Sequence, residues 1–82
     1  MPKFRKNPVI VEAVQWFKLG DHPAVRKPSR YDMLAIGDSA LIDTIEGPLK
    51  VSPGDWIITG VAGEHYPCKD EIFRQTYEPV EG

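Results

Sequence analysis

The sequence predicts a strand-rich α+β fold, built as a small curled antiparallel sheet with one short C-terminal helix. Two features of the sequence indicate this fold. Short runs of β-branched and aromatic residues are separated by glycine and proline turns along most of the chain, which is typical of a meander of short strands. Near the C-terminus, apolar residues instead recur at helical spacing. The pattern leaves open whether the sheet closes into a partial barrel.

The length of the chain allows one domain. At 82 residues, a protein can build one hydrophobic core but not two. Its 41% hydrophobic and 27% charged residues match the composition of an ordinary globular protein rather than that of a disordered one. Residues 1–82 are therefore predicted to form a single small domain.

The first third of the chain contains one strand signal followed by a loop. Residues 8–17 combine closely spaced β-branched residues with alternating side-chain polarity, which predicts a strand. Residues 18–30 contain Pro23 and Pro28 among charged residues, so we expect a loop with at most one helical turn. His22 in this loop is interpreted as a solvated side chain.

Three turns are predicted in the middle of the chain. Two short apolar runs, at residues 33–36 and 40–45, flank a Gly-Asp-Ser turn at residues 37–39 and predict a hairpin. A second turn is expected at residues 46–48, Glu-Gly-Pro. The third turn is Ser-Pro-Gly at residues 52–54, where proline followed by glycine fits type II geometry.

The strands of the last third follow these turns. Residues 55–62 are predicted to form the central strand, because apolar side chains lie on both of its faces. Gly63 and Glu64 then reverse the chain. Residues 65–68 are expected to form a short edge strand, since Pro67 cannot donate a backbone hydrogen bond to a neighbouring strand.

A short helix is predicted to close the core near the C-terminus. Asp70 is the expected N-cap, and apolar residues recur at helical spacing over residues 72–77. Pro79 is expected to stop the helix and to leave residues 80–82 as a polar tail. The side chains predicted to fill the core are Trp16, Ile42, Trp56, Ile58, Phe73 and Tyr77.

The residues that come nearest to a catalytic or metal-binding group are His65 and Cys68. A thiol beside an imidazole can act as nucleophile and base, but positions 65 and 68 point to opposite faces of a strand. Structural zinc sites use four Cys or His ligands, whereas this chain has three such residues, His22 included. We therefore expect no enzyme activity, no cofactor and no metal.

Bulk charge and hydropathy disfavour two classes of partner. The net charge of -2 gives no basic surplus for nucleic acid or an anionic membrane. No apolar run approaches the roughly 20 residues that a membrane helix needs. The single cysteine excludes an intramolecular disulfide, which favours the reducing cytoplasm. Aromatic and basic residues do interleave at residues 4–6, 16 and 26–31, so binding of single-stranded nucleic acid is a third hypothesis.

Several segments resemble a group of small phage and prophage proteins. They are FRK at residues 4–6, PVIVEA at 8–13, QW at 15–16, VSPGDWIITG at 51–60, GEHYPCK at 63–69, IF at 72–73 and TYEPV at 76–80. The resemblance covers most of the chain outside residues 18–39. It implies an accessory factor made by a phage genome and acting in the cytoplasm of a bacterial host cell. The group has no assigned activity, so the resemblance implies no catalytic residues.

The function that these features favour is a non-catalytic interaction or regulatory module. Its expected partner is a host or phage protein, together with itself as a homo-oligomer, since a small single sheet leaves edges to cover. The alternative is a protein that binds a small nucleotide-type ligand in a pocket of Trp16 or Trp56, Tyr66 and the basic loop. The candidate binding residues are Arg26, Lys27, Arg30, Tyr31, His65, Tyr66 and Lys69.

Overall fold

The computed structural model describes residues 3–6, 9–35, 37 and 39–80. Within them the elements are β1 (Lys3–Lys6), β2 (Val9–Gln15), β3 (Val25–Arg26), α1 (Arg30–Ala35), β4 (Leu41–Thr44), β5 (Gly47–Lys50), β6 (Trp56–Thr59), β7 (His65–Cys68), α2 (Asp70–Thr76) and β8 (Glu78–Pro79). Neighbouring strands pair antiparallel. The strand-rich α+β class with a short C-terminal helix is therefore confirmed.

The strands are divided between two sheets. The larger sheet has five strands in the order β7-β6-β2-β1-β8, and the smaller sheet has three in the order β3-β4-β5. Across the described part of the chain, β7 and β8 remain at opposite edges of the larger sheet, so that sheet is not a closed barrel. The smaller sheet packs against the larger one where β4 passes β7.

The strand predicted at residues 55–62 is β6, which covers only Trp56–Thr59 because residues 61–62 form a turn. Both faces of β6 are buried. Ile57 and Ile58 are consecutive and therefore point to opposite faces, and both are 0% exposed. β6 is an inner strand between β2 and β7, while the middle position belongs to β2 rather than to β6. Its two faces contact two separate groups of buried side chains.

Each isoleucine of β6 belongs to its own core. The first core contains Ile57 with Trp16, Val25, Ile42 and Val51, and the second contains Ile58 with Val11, Ala13 and Phe73. Of the predicted core residues, Trp16, Ile42, Ile58 and Phe73 are buried, which confirms them. Trp56 and Tyr77 are only half-buried and pack at the margin of the second core.

The turn before β6 has the predicted type II geometry. Gly54 has φ +97°, a conformation that glycine adopts without strain, and the backbone N–H of Asp55 donates to the carbonyl of Ser52 at 3.0 Å. The buried Asp55 carboxylate accepts from the backbone N–H of Ser52 at 2.9 Å and from Lys69 Nζ at 3.1 Å. Asp55 thus joins the turn before β6 to the residue that follows β7.

The predicted hairpin over residues 33–45 is wrong at its first strand, because residues 30–35 form α1 instead. Ser29 Oγ accepts from the backbone N–H of Asp32 at 3.2 Å, and Asp32 Oδ2 accepts from the backbone N–H of Ser29 at 2.8 Å. This reciprocal pair caps the N-terminus of α1. Ile36 and Asp38, which belong to the predicted hairpin, lie outside the described residues.

The later turns agree better with the sequence. β4 and β5 form a hairpin in which Thr44 pairs with Gly47, and its turn is at residues 45–46. The predicted turn at residues 46–48 is therefore one residue late, since Gly47 and Pro48 begin β5. Gly63 lies in the predicted turn before β7, and β7 is an edge strand as predicted. Pro8 and residues 81–82 lie outside the described residues. β1, β3 and β8 were not predicted, and β3 lies within the segment 18–30 that was expected to be a loop.

Asp70 is not the N-cap of α2, contrary to the prediction. Lys69 occupies that position and makes no side-chain capping bond. The Asp70 carboxylate instead accepts from Trp56 Nε1 at 2.8 Å and from Arg74 Nε at 2.9 Å. These bonds lower the pKa of Asp70, with the Trp56 bond as the larger cause. Asp70 therefore fastens α2 to β6 through a tertiary contact.

We predict that Ile57→Ala and Ile58→Ala each lower the free energy of unfolding by about 2 to 5 kcal/mol, because each removes fully buried methylene groups and leaves a cavity. Val61→Ala is the matched control, since Val61 is 81% exposed and its truncation should cost less than about 0.5 kcal/mol. Urea denaturation measures both. Equal losses for the buried and the exposed positions would contradict a core on each face of β6.

Candidate binding site

A cavity of about 600 Å³ lies between the tip of the β4–β5 hairpin and the start of β7. The hairpin and the β6–β7 turn line it with Ile45, Glu46, Leu49 and Val61, and β7 with the residue before it lines it with Glu64, His65, Tyr66 and Pro67. The two sides come from different sheets, which are brought together where β4 packs against β7. This volume is in the range of small-molecule sites in proteins.

Large apolar side chains stand exposed around this cavity. Ile45 is 91%, Val61 81% and Leu49 46% exposed. Ile45 lies in the turn between β4 and β5, and Val61 lies in the turn after β6. A cluster of exposed apolar groups beside a concave surface is the usual mark of a binding site.

A second cavity of about 400 Å³ continues the first one. The two cavities share Val11, Gly60 and Val61 in their linings. We call the two cavities together the hairpin groove. The second cavity extends the groove from the β6–β7 turn toward Lys3 of β1.

The charged side chains that line the hairpin groove are mostly acidic. Glu12, Glu46 and Glu64 line it, against one lysine, Lys3. The Glu64 carboxylate lies directly against Gly60, where an added Cβ would collide with Glu64 Oε1. Glycine at this position therefore permits the carboxylate to lie along the groove wall.

β7 is an edge strand of the larger sheet, and three of its residues line the groove. The N–H of Gly60 donates to the carbonyl of Glu64 at 2.8 Å. In an antiparallel pair, hydrogen-bonded and non-hydrogen-bonded residue pairs alternate, so this bond determines which residues of β7 bond to β6. With the observed register, Tyr66 and Cys68 direct their backbone groups to β6, and His65 and Pro67 direct theirs outward. Because proline has no N–H, this edge offers one donor and two acceptors, which have no backbone partner in the described segments.

Arg26, the first of the predicted binding residues, is held in an ion-pair cluster away from the groove. Its guanidinium donates two bonds to Asp43, both at 2.9 Å, and one to Asp32 at 2.6 Å. These bonds raise the pKa of Arg26, with Asp43 as the larger cause, and the Arg26 bond is the largest cause lowering the pKa of Asp32. The charge of Arg26 is thus matched within the protein.

The other predicted residues are spread over three places. Lys27, Arg30 and Tyr31 are exposed beside α1, and none of them lines the hairpin groove. Lys69 is bound to the Asp55 carboxylate. His65 and Tyr66 do line the groove. The structure therefore brings His65 and Tyr66 together and separates them from the basic residues near α1.

Sequence reasoning missed the apolar residues that border the groove. The available signal was a large apolar residue within a turn, as in Ile45 before Glu46 and Gly47 and in Val61 between Gly60 and Ala62. Turn positions face water, so an apolar residue there is free to contact a partner.

His22 is buried, so its interpretation as a solvated loop residue is wrong. The side chain is 4% exposed, and its Nδ1 accepts from the backbone N–H of Ala24 at 3.0 Å. Its ring lies edge-on to that of His65, with centroids 5.5 Å apart. Burial lowers the pKa of His22, and the neighbouring His65 lowers it further.

The pair considered for catalysis is separated by the strand. His65 contacts His22, whereas Cys68 packs at the margin of the second core. In residues 3–6, 9–35, 37 and 39–80, no cluster of three or more His, Cys, Asp or Glu side chains could hold a metal ion.

A second concave site lies beside α2. A cavity of about 470 Å³ is lined there by Trp56, Phe73, Tyr77 and Arg74, among others. The Trp56 and Phe73 rings stack at 4.1 Å between centroids. Burial raises the pKa of Tyr77, and the Tyr66 hydroxyl contributes through a hydrogen bond. We call this site the aromatic cavity.

None of the described helices has the length and apolar character needed to cross a membrane. In comparisons with known proteins, no family model, no curated protein and no solved structure matches the chain.

We predict that acid destabilises the protein below about pH 6.5 through His22. Because the pKa of His22 is lower in the folded chain than the ordinary 6.5, the unfolded chain takes up the proton first. The stability that neutral His22 contributes is fully present above the pKa that His22 has in the unfolded chain. It is lost as the pH falls toward the pKa of His22 in the folded chain. Urea midpoints between pH 8 and pH 5 measure this loss.

The matched variant is His22→Asn, since an asparagine oxygen can still accept the Ala24 N–H while the side chain no longer titrates. Its stability should change less over the same pH range. A variant whose loss between pH 7 and pH 5 equals that of the wild type would show that another group is responsible.

Proposed function

We propose that this chain is a non-catalytic interaction module that binds a protein partner through the hairpin groove. The observation that carries the proposal is the exposure of Ile45, Val61 and Leu49 around one concave surface. These side chains are absent from both core clusters. Because folding gains little from an apolar residue that stays in water, a binding role accounts for them better than a structural one.

The position of the groove supports the same proposal. Its walls come from two turns and an edge strand, and turns on a rigid scaffold are where proteins commonly place binding residues. An edge strand also offers backbone groups to a second chain. The groove therefore combines apolar contact with hydrogen-bonding capacity, as protein recognition sites do.

The biological setting of the proposal rests on the resemblance to small phage and prophage proteins. On that basis the chain is an accessory factor that acts in the cytoplasm of a bacterial host, with a host or phage protein as partner. Self-association is a second part of the proposal. It is supported by exposed apolar side chains on α1, namely Tyr31, Met33 and Leu34, which we call the helix patch.

We predict that the double variant Ile45→Asp/Val61→Asp loses the protein partner while keeping its fold. Both side chains are over 80% exposed, so the charges stay in water and the unfolding transition should move little. Affinity capture from the bacterial host, quantified by mass spectrometry, compares the partner retained by wild type and variant. Removing two central apolar contacts should reduce the retained partner by at least about tenfold.

The matched control is Leu34→Asp, because Leu34 is 86% exposed and lies on the helix patch instead. The control should retain the partner. Equal retention by the groove variant and the control would overturn the assignment of the partner to the groove. Loss from the control alone would move the interaction to the helix patch.

Binding of a small planar ligand is the second candidate function, and the aromatic cavity is the observation that favours it. Aromatic rings stack on nucleobases, and Arg74, which pairs with Asp70 through Nε, lines the same cavity. Trp16 and the basic loop do not join this cavity, since Trp16 is buried in the first core. Of the residues first proposed for a nucleotide-type ligand, Trp56 lines this cavity, whereas Trp16, Tyr66 and the basic loop do not.

Thermal unfolding with a panel of nucleotides tests this second function. A ligand at one hundred times its Kd stabilises the native protein by about 2.7 kcal/mol, which moves the midpoint by many degrees in a domain of this size. The shift should be smaller in Arg74→Gln than in Arg30→Gln, which lies near α1. An unchanged midpoint across the panel would reject the function.

A further inference from the structure

We propose that the occupant of the hairpin groove is a short, extended peptide segment, both basic and apolar, that adds as a strand to the outer edge of β7. This inference rests on the proposed function, because it names the partner chemistry of the same site. Three observations carry it: the open edge of β7, the apolar groove beside it, and the surplus of carboxylates around the groove.

The open edge limits how the segment can bind. A partner residue opposite His65 would donate its N–H to the His65 carbonyl and accept the His65 N–H. A second partner residue, two positions along, would donate to the Pro67 carbonyl. Because Pro67 offers no N–H, the ladder cannot extend symmetrically, and β7 has four residues. The paired segment is therefore about four residues long and spans roughly 13 Å.

The apolar groove then selects the side chains of the segment. In a strand, every second residue directs its backbone groups to the neighbouring strand. The side chains of these residues lie on one side of the sheet, and those of the intervening residues lie on the other. Ile45, Leu49 and Val61 are available to contact apolar side chains on one of these faces. An extended segment with alternating basic and apolar residues can bond to the edge of β7 and also place apolar side chains in the groove. A helix cannot do both.

Charge makes the segment basic rather than neutral or acidic. Glu12, Glu46 and Glu64 line the groove against Lys3. Glu64 is half-buried against Gly60, and no ion pair or hydrogen bond of its carboxylate occurs among the described residues. A lysine or arginine of the partner would supply the missing counter-charge and would be drawn to the groove by its field.

A second copy of this chain is the competing occupant. Its helix patch is apolar and has Lys27 and Arg30 nearby, so it also complements an acidic groove. The patch lies on a helix, however, and cannot use the N–H and carbonyl groups that β7 presents. An extended segment uses every feature of the site, and the experiment separates the two occupants.

The test uses fluorescence anisotropy of the full chain with labelled peptides of defined sequence. The basic probe is Lys-Val-Lys-Ile-Lys-Val, and the acidic control replaces each lysine with glutamate. The basic probe should bind at least about tenfold more tightly at low salt and should weaken as salt rises. Equal affinity of the two peptides would overturn the charge assignment.

Two N-methylated isomers of the basic probe test strand addition directly. One carries the methyl groups on its lysine amides and the other on its valine and isoleucine amides. Only one set of amides can face β7, so one isomer should lose binding and the other should keep it. The His65 amide should also shift in a nuclear magnetic resonance titration. Binding by both isomers with an unmoved His65 amide would overturn the proposal.

Variants of the chain complete the test. Glu46→Lys should lower affinity for the basic probe by about tenfold or more, whereas Glu71→Lys, an exposed carboxylate on α2, should leave affinity within about twofold. If both variants changed the affinity for the basic probe equally, the probe would bind outside the groove. Light scattering of wild type and Ile45→Asp reports on the other occupant, since a dimer lost only in Ile45→Asp would assign the groove to a second copy.

These outcomes are separable from those of the proposed function. A cellular partner that depends on Ile45 and Val61, together with a peptide panel that shows no binding, would leave the interaction module standing and reject the extended basic segment. Loss of the groove dependence itself would reject both.

Discussion

Burial of β6 on both faces is the constraint on which the rest of this fold depends. Ile57 and Ile58 are adjacent in sequence, so no single layer of structure can cover both side chains. One face needs α2, which places Phe73 against Ile58, and the other face needs the smaller sheet, which places Ile42 against Ile57. The three-layer arrangement follows from two consecutive isoleucines in a strand that lies between two others.

A buried carboxylate fixes where these layers meet. Asp55 lies immediately before β6 and binds the backbone of Ser52 and the ammonium group of Lys69. It also accepts the Trp16 backbone N–H at its carbonyl, at 2.7 Å, so the end of β2, the turn and the end of β7 meet at one residue. The exposed Lys69 ammonium group compensates the charge of the buried Asp55 carboxylate, which would be costly to leave unpaired.

The sequence was sufficient where local chemistry determines structure and insufficient where distant residues determine it. Pro53 before Gly54 permits one kind of turn, and β6 carries an apolar run that only a strand buried on both faces can use. α1 was missed because Met33 and Leu34 face water, so its apolar residues do not mark a buried face. Its signal was the capping pair at Ser29 and Asp32. The groove was out of reach because sixteen positions separate Ile45 from Val61.

The groove reaches the second core through Val11, but its exposed apolar residues lie outside both cores. The groove residues Ile45 and Val61 can change without touching the core, because they lie in turns and contact mostly water. His65 is different, since it lines the groove and also contacts the buried His22. A proton on His22 would place a charge beside His65 and remove the bond from Ala24. Acid therefore acts on the loop and on the β7 wall of the groove through the same contact.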